Sequence, residues 1–219
     1  MTFLYRFLRY CCSIFLRIKY KIEFRYDDKE LFDDNKGLII CANHHSNCDP
    51  ILLAWGCPKQ IFYMSKEELF QKSKIFAWAL RGVGAFPVSR GKGDMTAIKA
   101  SVDIIRGGRY LGIFPEGTRS KTGELQRAKS GAALIASKTK ADILPVGITY
   151  EDKDKFRSRV IIHFGSLIKN SELFSSEEIS PRELKSASHL LMDRIASLRH
   201  TQICVKKLDD APKSIAKED

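Results

Sequence analysis

The sequence has no hydrophobic run long enough to cross a bilayer. Its most apolar stretch lies near the N-terminus, where only seven uncharged residues separate Arg9 from Arg17, whereas a spanning helix needs about 20. The same shortness, together with the lack of a small-residue cleavage site, is not typical of a removed signal peptide. We therefore expect neither a transmembrane segment nor a secretory leader, which leaves attachment at a membrane surface.

Cysteine patterns typical of disulfide frameworks and zinc sites are also missing. The six cysteines include no C-x-x-C pair and no even spacing, which favours reduced thiols in a compartment that faces the cytoplasm. A zinc site could be drawn through Cys41, His44, His45 and Cys48. Cys41, however, belongs to an apolar segment, and the spacing matches none of the common zinc patterns. We predict structural thiols, no metal and no cofactor.

Basic residues are concentrated in two parts of the chain. With 219 residues, 44% of them hydrophobic, the chain can bury one sizeable core, and its net charge is +11. Residues 1–26 contain six basic residues against one acidic residue, and residues 81–140 contain twelve against four. This distribution suits an anionic membrane surface at the N-terminus and a phosphorylated ligand in the middle. No nucleic-acid-binding signature accompanies the charge, so we expect no nucleic acid partner.

The N-terminus predicts an amphipathic helix followed by a strand. Within residues 3–18, Arg6, Arg9 and Arg17 recur at helical spacing among aromatic and aliphatic residues. Such a helix could pack on the domain core or lie in the interface of an anionic membrane. The arginines and the broad apolar face favour the membrane. Alternation over residues 20–26 predicts a half-exposed strand.

A polar cluster follows a short apolar segment in the first half of the chain. Residues 37–42 predict a buried strand, and Asp49 followed by Pro50 predicts the N-cap and first position of a helix. The residues between them form a loop at the carboxyl end of a strand, where α/β proteins bind ligands. His44 and Asp49 supply an imidazole and a carboxylate in that loop. This pair is the combination of a general base and its orienting partner.

A second loop follows another predicted strand, at residues 110–114. Pro115 ends this strand, so that Glu116, Gly117, Thr118 and Arg119 lie on the loop. Such loops offer free backbone amides to anions, Gly117 permits close approach, and Arg119 can bind phosphate oxygens in a bidentate manner. A surface ion pair between Glu116 and Arg119 is the alternative interpretation.

Four stretches, taken in order, resemble the motifs of the glycerolipid acyltransferase family, and in particular of its lysophosphatidate acyltransferases. They are Asn43–Pro50, Gly84–Arg90, Phe114–Ser120 and Ile143–Ile148, and they fall within residues 37–150. The N-H-x-S-x-x-D frame places His44, not His45, at the histidine position of the first motif. Ser89 stands where the family often has an acidic or amide residue, just before Arg90.

The resemblance implies a transfer of a fatty acyl group from acyl-CoA or acyl carrier protein to lysophosphatidate, which gives phosphatidate. His44 would remove the proton of the acceptor hydroxyl, Asp49 would orient His44, and the alkoxide would attack the thioester directly. The residues that would hold the acceptor phosphate are Glu116, Gly117, Thr118 and Arg119, with Arg90 as a further candidate.

The sequence is also compatible with other activities. The acceptor could be glycerol phosphate or another lysophospholipid. A lysophospholipid hydrolase could use His44 and Asp49 to activate Ser46, but Ser46 lacks the G-x-S-x-G frame. A membrane-binding protein without catalysis would leave the histidine–aspartate pair unexplained.

The alternation of strands and helices predicts a single-domain α/β sandwich with a mostly parallel central sheet, preceded by the amphipathic membrane-associating helix. We assign residues 1–26 to the helix and first strand, 27–200 to an acyltransferase catalytic domain, and 201–219 to a polar tail. Residues 65–68 predict a capping box that opens an apolar helix reaching residue 80. Core packing is the expectation for that helix. By the resemblance, it could instead line an acyl-chain groove or contact the membrane. We expect an enzyme associated with the cytoplasmic face of a membrane.

Overall fold

The chain folds into one seven-stranded sheet with helices on both faces. A computed structural model describes residues 3–28, 31–32, 36–88, 95–175 and 179–200. The helices are α1 (Phe3–Lys19), α2 (Asp49–Gly56), α3 (Glu67–Gln71), α4 (Lys74–Gly82), α5 (Met95–Arg106), α6 (Gly131–Thr139), α7 (Asn170–Leu173) and α8 (Pro181–Ser197). The strands are β1 (Tyr20–Tyr26), β2 (Leu38–Ala42), β3 (Ile61–Lys66), β4 (Ala85–Val88), β5 (Tyr110–Ile113), β6 (Ile143–Tyr150) and β7 (Ser158–Phe164).

The order of the strands decides which loops meet. The sheet runs β1-β7-β6-β2-β5-β3-β4. The five strands from β6 to β4 are parallel to one another, β7 is antiparallel to β6, and β1 is parallel to β7. The predicted α/β fold with a mostly parallel sheet is therefore confirmed. Because β2 and β5 are parallel neighbours, the loops that follow them leave the sheet at the same edge.

Strand β2 lies in the middle of the sheet and is buried on both faces. Its side chains alternate, so that Ile40 packs in a cluster with Leu16 of α1 and residues of α2, while Ile39 packs in a second cluster with residues of α5, α6 and α8. Cys41 belongs to the second cluster and Cys48 to the first. The two cysteines of the zinc pattern considered from the sequence, Cys41 and Cys48, are thus packed in separate apolar clusters.

Helix α2 begins one residue earlier than the sequence suggests. Cys48 is the N-cap and makes no side-chain capping hydrogen bond, and Asp49 is the first residue of the helix. The prediction that Asp49 caps this helix is wrong because its carboxylate turns back onto the preceding loop, where it has other donors.

The apolar segment after β3 forms two short helices instead of one. Ser65 belongs to β3, so the predicted capping box is absent, and α4 has its own cap, since Ser73 Oγ accepts the Phe76 amide at 3.1 Å. Helix α4 buries only Ala77, and Trp78 is 61% exposed. The expected core packing of this segment is wrong, because most of its apolar surface faces outward.

Helix α1 also presents an apolar face to the solvent. Tyr5 and Leu16 are buried against the domain, whereas the opposite face carries six exposed apolar side chains: Phe3, Phe7, Tyr10, Ile14, Phe15 and Ile18. Of the arginines, Arg9 donates to the Cys57 carbonyl at 2.8 Å and Arg17 lies over the Trp55 ring. Among the described helices, none is long and apolar enough to cross a bilayer.

Candidate functional site

His44 and Asp49 meet in the loop between β2 and α2. His44 Nδ1 and Asp49 Oδ2 are 2.8 Å apart. Because Asp49 is fully buried and its Oδ2 also accepts the His45 and Ser46 amides at 2.7 Å each, this oxygen is fixed as an acceptor. The imidazole proton therefore lies on Nδ1, which leaves the lone pair on Nε2.

The other oxygen of Asp49 is bound by a residue from the far half of the chain. Tyr150, the last residue of β6, donates its hydroxyl to Asp49 Oδ1 at 2.6 Å. Burial and the neighbouring Asp49 carboxylate hold the pKa of Tyr150 well above its usual range, so the phenol stays protonated and remains a donor. Four hydrogen bonds thus satisfy this buried carboxylate, which otherwise would be costly to desolvate.

The His44 ring is packed against an aromatic ring on one face, and its Nε2 atom has no partner among the described residues. It stacks on Phe114 with 4.1 Å between the ring centroids and 18° between the planes. Its side chain is 17% exposed, and Nε2 makes no hydrogen bond with any residue that the structure describes. The ring therefore has a fixed orientation and a free basic nitrogen.

Glu116 joins the loop after β5 to the loop after β2. One carboxylate oxygen accepts the His44 amide at 2.8 Å and the other accepts the Gln126 amide at 3.0 Å. The residue is only 4% exposed, and burial raises the pKa of its carboxyl group, a rise that these two amides oppose. Both oxygens are occupied by backbone donors, so Glu116 makes no ion pair with Arg119 and acts as a connection between the loops.

The remaining part of the loop after β5 is cationic and open. Gly117 adopts φ +74°, and a Cβ there would lie 2.9 Å from Lys129 Nζ. Thr118 and Arg119 are exposed. Four basic side chains of this loop have neither a hydrogen bond nor an ion pair with any described residue: Arg119, Lys121, Arg127 and Lys129. These cations are available to an anionic ligand.

His45, the second histidine of the motif, is placed differently from His44. Its ring lies 6.0 Å from the Tyr150 ring, its Nδ1 is buried without a hydrogen-bond partner, and burial, with help from Lys153, lowers its pKa. No carboxylate among the described residues forms a hydrogen bond with the His45 ring, so His45 lacks the orienting partner that His44 has.

The structure brings together most of the residues that the sequence singled out. His44, Asp49, Glu116 and the cationic loop lie at one edge of the sheet, whereas Arg90 lies outside the described residues.

Two residues that stabilise the site were missed by the sequence analysis. Tyr150 closes the Asp49 network from 101 residues away, and Asn43 ties the end of β2 to β6 through both its amide atoms, which bond the Ile148 backbone at 2.9 and 2.8 Å. Asn43 stood within the first motif and could have been found there.

No group of three or more His, Cys, Asp or Glu side chains in the described part of the chain is arranged to hold a metal ion. Burial raises the pKa of Cys41 far above that of an ordinary thiol, which is typical of a packed side chain and not of a metal ligand.

Fold and site together define an α/β protein with an imidazole–carboxylate pair beside a cationic loop, at the carboxyl edge of its parallel strands. A family model described as Acyltransferase matches residues 23–149, which is more than half of the chain. The chain belongs to this acyltransferase family.

Named relatives agree with that family. The 1-acyl-sn-glycerol-3-phosphate acyltransferase of Streptococcus pneumoniae is 36% identical over 146 residues, which are 64% of this chain and 53% of the relative. The enzyme of the same name from Bacillus subtilis is 39% identical over 119 residues, which are 54% of this chain and 58% of the relative. The chain thus spans somewhat more than half the length of these relatives.

A solved structure has the same fold. The crystal structure of the 1-acyl-sn-glycerophosphate (LPA) acyltransferase PlsC from Thermotoga maritima is similar to this chain with a TM-score of 0.66. The likeness covers 95% of this chain and 81% of that chain at 21% sequence identity. It supports the architecture of the sheet and its helices.

Proposed function

We propose that the protein is a 1-acylglycerol-3-phosphate acyltransferase, which moves a fatty acyl group from a thioester, acyl-CoA or acyl carrier protein, to the free hydroxyl of lysophosphatidate. The observation that carries the proposal is the oriented His44–Asp49 pair beside a loop with unpaired cations. The names of the relatives support the same acceptor.

His44 is the general base of this reaction. Its Nε2 takes the proton of the acceptor hydroxyl while that oxygen attacks the thioester carbonyl carbon, since a neutral alcohol is a poor nucleophile. Asp49 accepts the Nδ1–H bond and stabilises the imidazolium that forms. The carbon–sulfur bond then breaks, and the leaving thiolate receives the proton from Nε2. Phosphatidate and a free thiol are the products.

The acceptor phosphate lies on the loop after β5 in this proposal. Arg119 supplies a bidentate cation, and Gly117 and Thr118 supply close backbone approach and a hydroxyl. Glu116 serves the same site indirectly, because its carboxylate holds the loop and would repel a phosphate. A role for Arg90 in binding the phosphate stays a prediction from the motif alone.

The test is product analysis with purified protein. Lysophosphatidate, lysophosphatidylcholine and glycerol phosphate are each supplied with acyl-CoA or acyl carrier protein, and the products are identified by mass spectrometry. We expect phosphatidate that depends on the thioester donor. Release of free fatty acid from the lysolipid without a donor would instead indicate a hydrolase.

The geometry gives Ser46 little support as a nucleophile. Its Oγ accepts the Cys48 amide at 3.2 Å, and its amide donates to Asp49. No hydrogen bond joins Ser46 Oγ to the His44 ring among the described contacts. A hydrolase would need that bond to activate the serine.

The outward face of α1 is proposed to lie in an anionic membrane surface. An amphipathic helix that only stabilised the domain would bury its apolar face, but here six exposed apolar side chains point away from the core. The adjoining α4 adds Ile75, Phe76 and Trp78 to the exposed apolar surface, and Leu4 of α1 packs where Gly82 of α4 has no side chain.

The membrane proposal is tested with the full chain, because loss of α1 would uncover the core around Leu16. Vesicles of anionic phospholipid are sedimented with the double variant Phe7→Ser/Phe15→Ser. Since each buried aromatic side chain contributes about 1.5–3 kcal/mol, loss of two should weaken binding by about a hundredfold or more. The matched control is Phe156→Ser, an exposed phenylalanine between β6 and β7. Equal sedimentation of both variants would contradict the proposed membrane face.

A further inference from the structure

The end of α8 is held firmly against the sheet beside the site. Leu198 packs where Gly147 has no side chain, since a Cβ there would lie 2.6 Å from the Leu198 carbonyl. The His200 amide donates to Thr149 Oγ1 at 3.0 Å. Arg199 therefore extends from a backbone that is fixed to β6 on both sides.

The Arg199 side chain reaches the turn Ser120–Gly123 in the loop after β5. Its Nη2 donates to the Gly123 carbonyl at 2.6 Å. The Gly123 amide donates to Ser120 Oγ at 3.0 Å, and the Ser120 amide donates to the His44 carbonyl at 2.8 Å. A continuous series of hydrogen bonds thus connects the guanidinium group to the backbone of the proposed base.

The turn is also shaped to fit the catalytic loop. Gly123 has φ +85°, and a Cβ at this position would lie 3.1 Å from the Cε1 atom of His45. Only a glycine combines this backbone conformation with such close approach. The turn, the His45 ring and the Arg199 side chain therefore form one packed unit behind His44.

Stability alone does not explain the position of Arg199. Its Nε is buried and makes no hydrogen bond within the described structure, and an unpaired buried N–H lowers the free energy of unfolding. The charge has a second effect on the site. Burial raises the pKa of Glu116, and the charge of Arg199 is one of the influences that oppose this rise.

We propose that Arg199 is a positioning residue of the acyl-transfer site, which holds the Ser120–Gly123 turn and, through it, His44 in the geometry needed for proton removal. The residue lies outside the segment 23–149 that matches the family model, so no motif would identify it. The inference rests on the proposed function, because the property it explains is the turnover of that reaction.

The experiment compares Arg199→Ala and Arg199→Lys with the matched control Arg194→Ala on the exposed side of α8. Because small displacements of a catalytic group reduce turnover strongly, we expect kcat of Arg199→Ala to fall by about 10- to 100-fold. The KM values for lysophosphatidate and the acyl donor should change by less than about twofold, since no substrate contact is lost. Arg199→Lys should recover part of kcat, because an ammonium group can still donate to the Gly123 carbonyl. Arg194→Ala should behave as the unaltered protein.

A second measurement does not depend on turnover. Amide hydrogen exchange of the segment 117–126 should become faster in Arg199→Ala and return toward the original rate in Arg199→Lys. Unchanged exchange and unchanged kcat in Arg199→Ala would overturn the proposal. A raised KM for lysophosphatidate at constant kcat would also overturn it, because Arg199 would then be a ligand of the substrate. If the unaltered protein transfers no acyl group, the proposed function fails, and the exchange rates still decide whether Arg199 holds the turn.

Discussion

The loops that follow β2 and β5 lie side by side and differ in how their polar groups are used. In the loop after β2, Asp49 accepts four hydrogen bonds and the His44 ring is held by Asp49 and Phe114. In the loop after β5, the side chains of Arg119 and Lys129 have no hydrogen bond or ion pair with any described residue. The polar groups of the first loop are therefore paired within the protein, whereas these cations of the second loop are open to a ligand.

This difference separates two requirements of acyl transfer. Proton removal needs a base within hydrogen-bond reach and in a fixed orientation, whereas an acceptor phosphate mainly needs accessible cations. Glu116 connects the two loops through the His44 and Gln126 amides. Substitutions in the loop after β2 should therefore change kcat, and substitutions of the cations should change KM. A substitution of Glu116 should lower kcat, because it weakens the contact between the two loops.

The largest effect is expected at the base. His44→Ala should lower kcat by about 10²–10⁴-fold, the usual contribution of general-base catalysis. His45→Ala is the matched control and should cost far less, because no described carboxylate orients the His45 ring as Asp49 orients His44. Steady-state rates with saturating donor and acceptor measure both. An inactive His45→Ala beside an active His44→Ala would mean that the wrong histidine has been assigned.

Arg119 tests the role of the cationic loop after β5. Arg119→Ala should raise KM for lysophosphatidate while kcat stays similar, since a charge-assisted contact of about 1.5–3 kcal/mol is lost from ground and transition states alike. Arg119→Lys should recover only part, because an ammonium group cannot bind two phosphate oxygens in the planar manner of a guanidinium. If KM for the acyl donor rises instead, Arg119 binds the phosphates of the donor, and Lys129 becomes the candidate for the acceptor.

Sequence patterns anticipated the parts of this arrangement that are local in the chain. The loop after β2 and the loop after β5 were both readable from neighbouring residues. The sheet also followed from alternation of elements. The residues that predicted these features are neighbours in the chain, even though the strands themselves pair over long distances.

The parts that were missed depend on distant partners. Tyr150 binds Asp49 across 101 residues, and Arg199 binds Gly123 across 76 residues. Such contacts arise from the order of the strands and from how α8 ends on β6, neither of which leaves a periodic pattern in the sequence. The outward apolar face of α4 was missed for a related reason. Apolar content predicts burial, but it does not tell whether protein or another apolar phase covers the helix.

Glu116→Gln should weaken the connection between the loops. A glutamine keeps one acceptor oxygen but presents its NH₂ group to the second backbone amide, and a buried N–H without an acceptor costs about 1–3 kcal/mol. We expect kcat to fall by about tenfold, with a smaller change in KM. An unchanged kcat in a stable variant would show that the two loops are positioned independently.

The pH dependence of the unaltered protein provides a second test of Glu116. Because burial raises its pKa in the folded state, the native protein takes up this proton at a higher pH than the unfolded chain. The free energy of unfolding therefore rises as the pH falls from the raised pKa toward the ordinary pKa of a glutamate. Over the same interval kcat should decrease, since a protonated carboxyl group loses one acceptor. Glu116→Gln should remove the change in stability and the part of the kcat decrease that belongs to this carboxyl group, as seen by denaturant titration and rate measurement at matched pH values.

The smallest effect is expected at Gly117, and it shows whether the open loop needs its backbone shape as well as its charges. In Gly117→Ala the new Cβ would lie 2.9 Å from Lys129 Nζ, and the residue would keep φ +74° at a cost of about 1–2 kcal/mol. The flexible Lys129 side chain can move aside, so that the cations remain present but shifted. KM for lysophosphatidate should rise by a few fold, which is less than in Arg119→Ala, and kcat should hold because Gly117 lies outside the hydrogen bonds that orient His44. Gly131→Ala is the matched control, since an added Cβ there meets nothing within 4 Å. A fall in kcat without a change in KM would place Gly117 with the loop after β2 and would remove the distinction between the two loops.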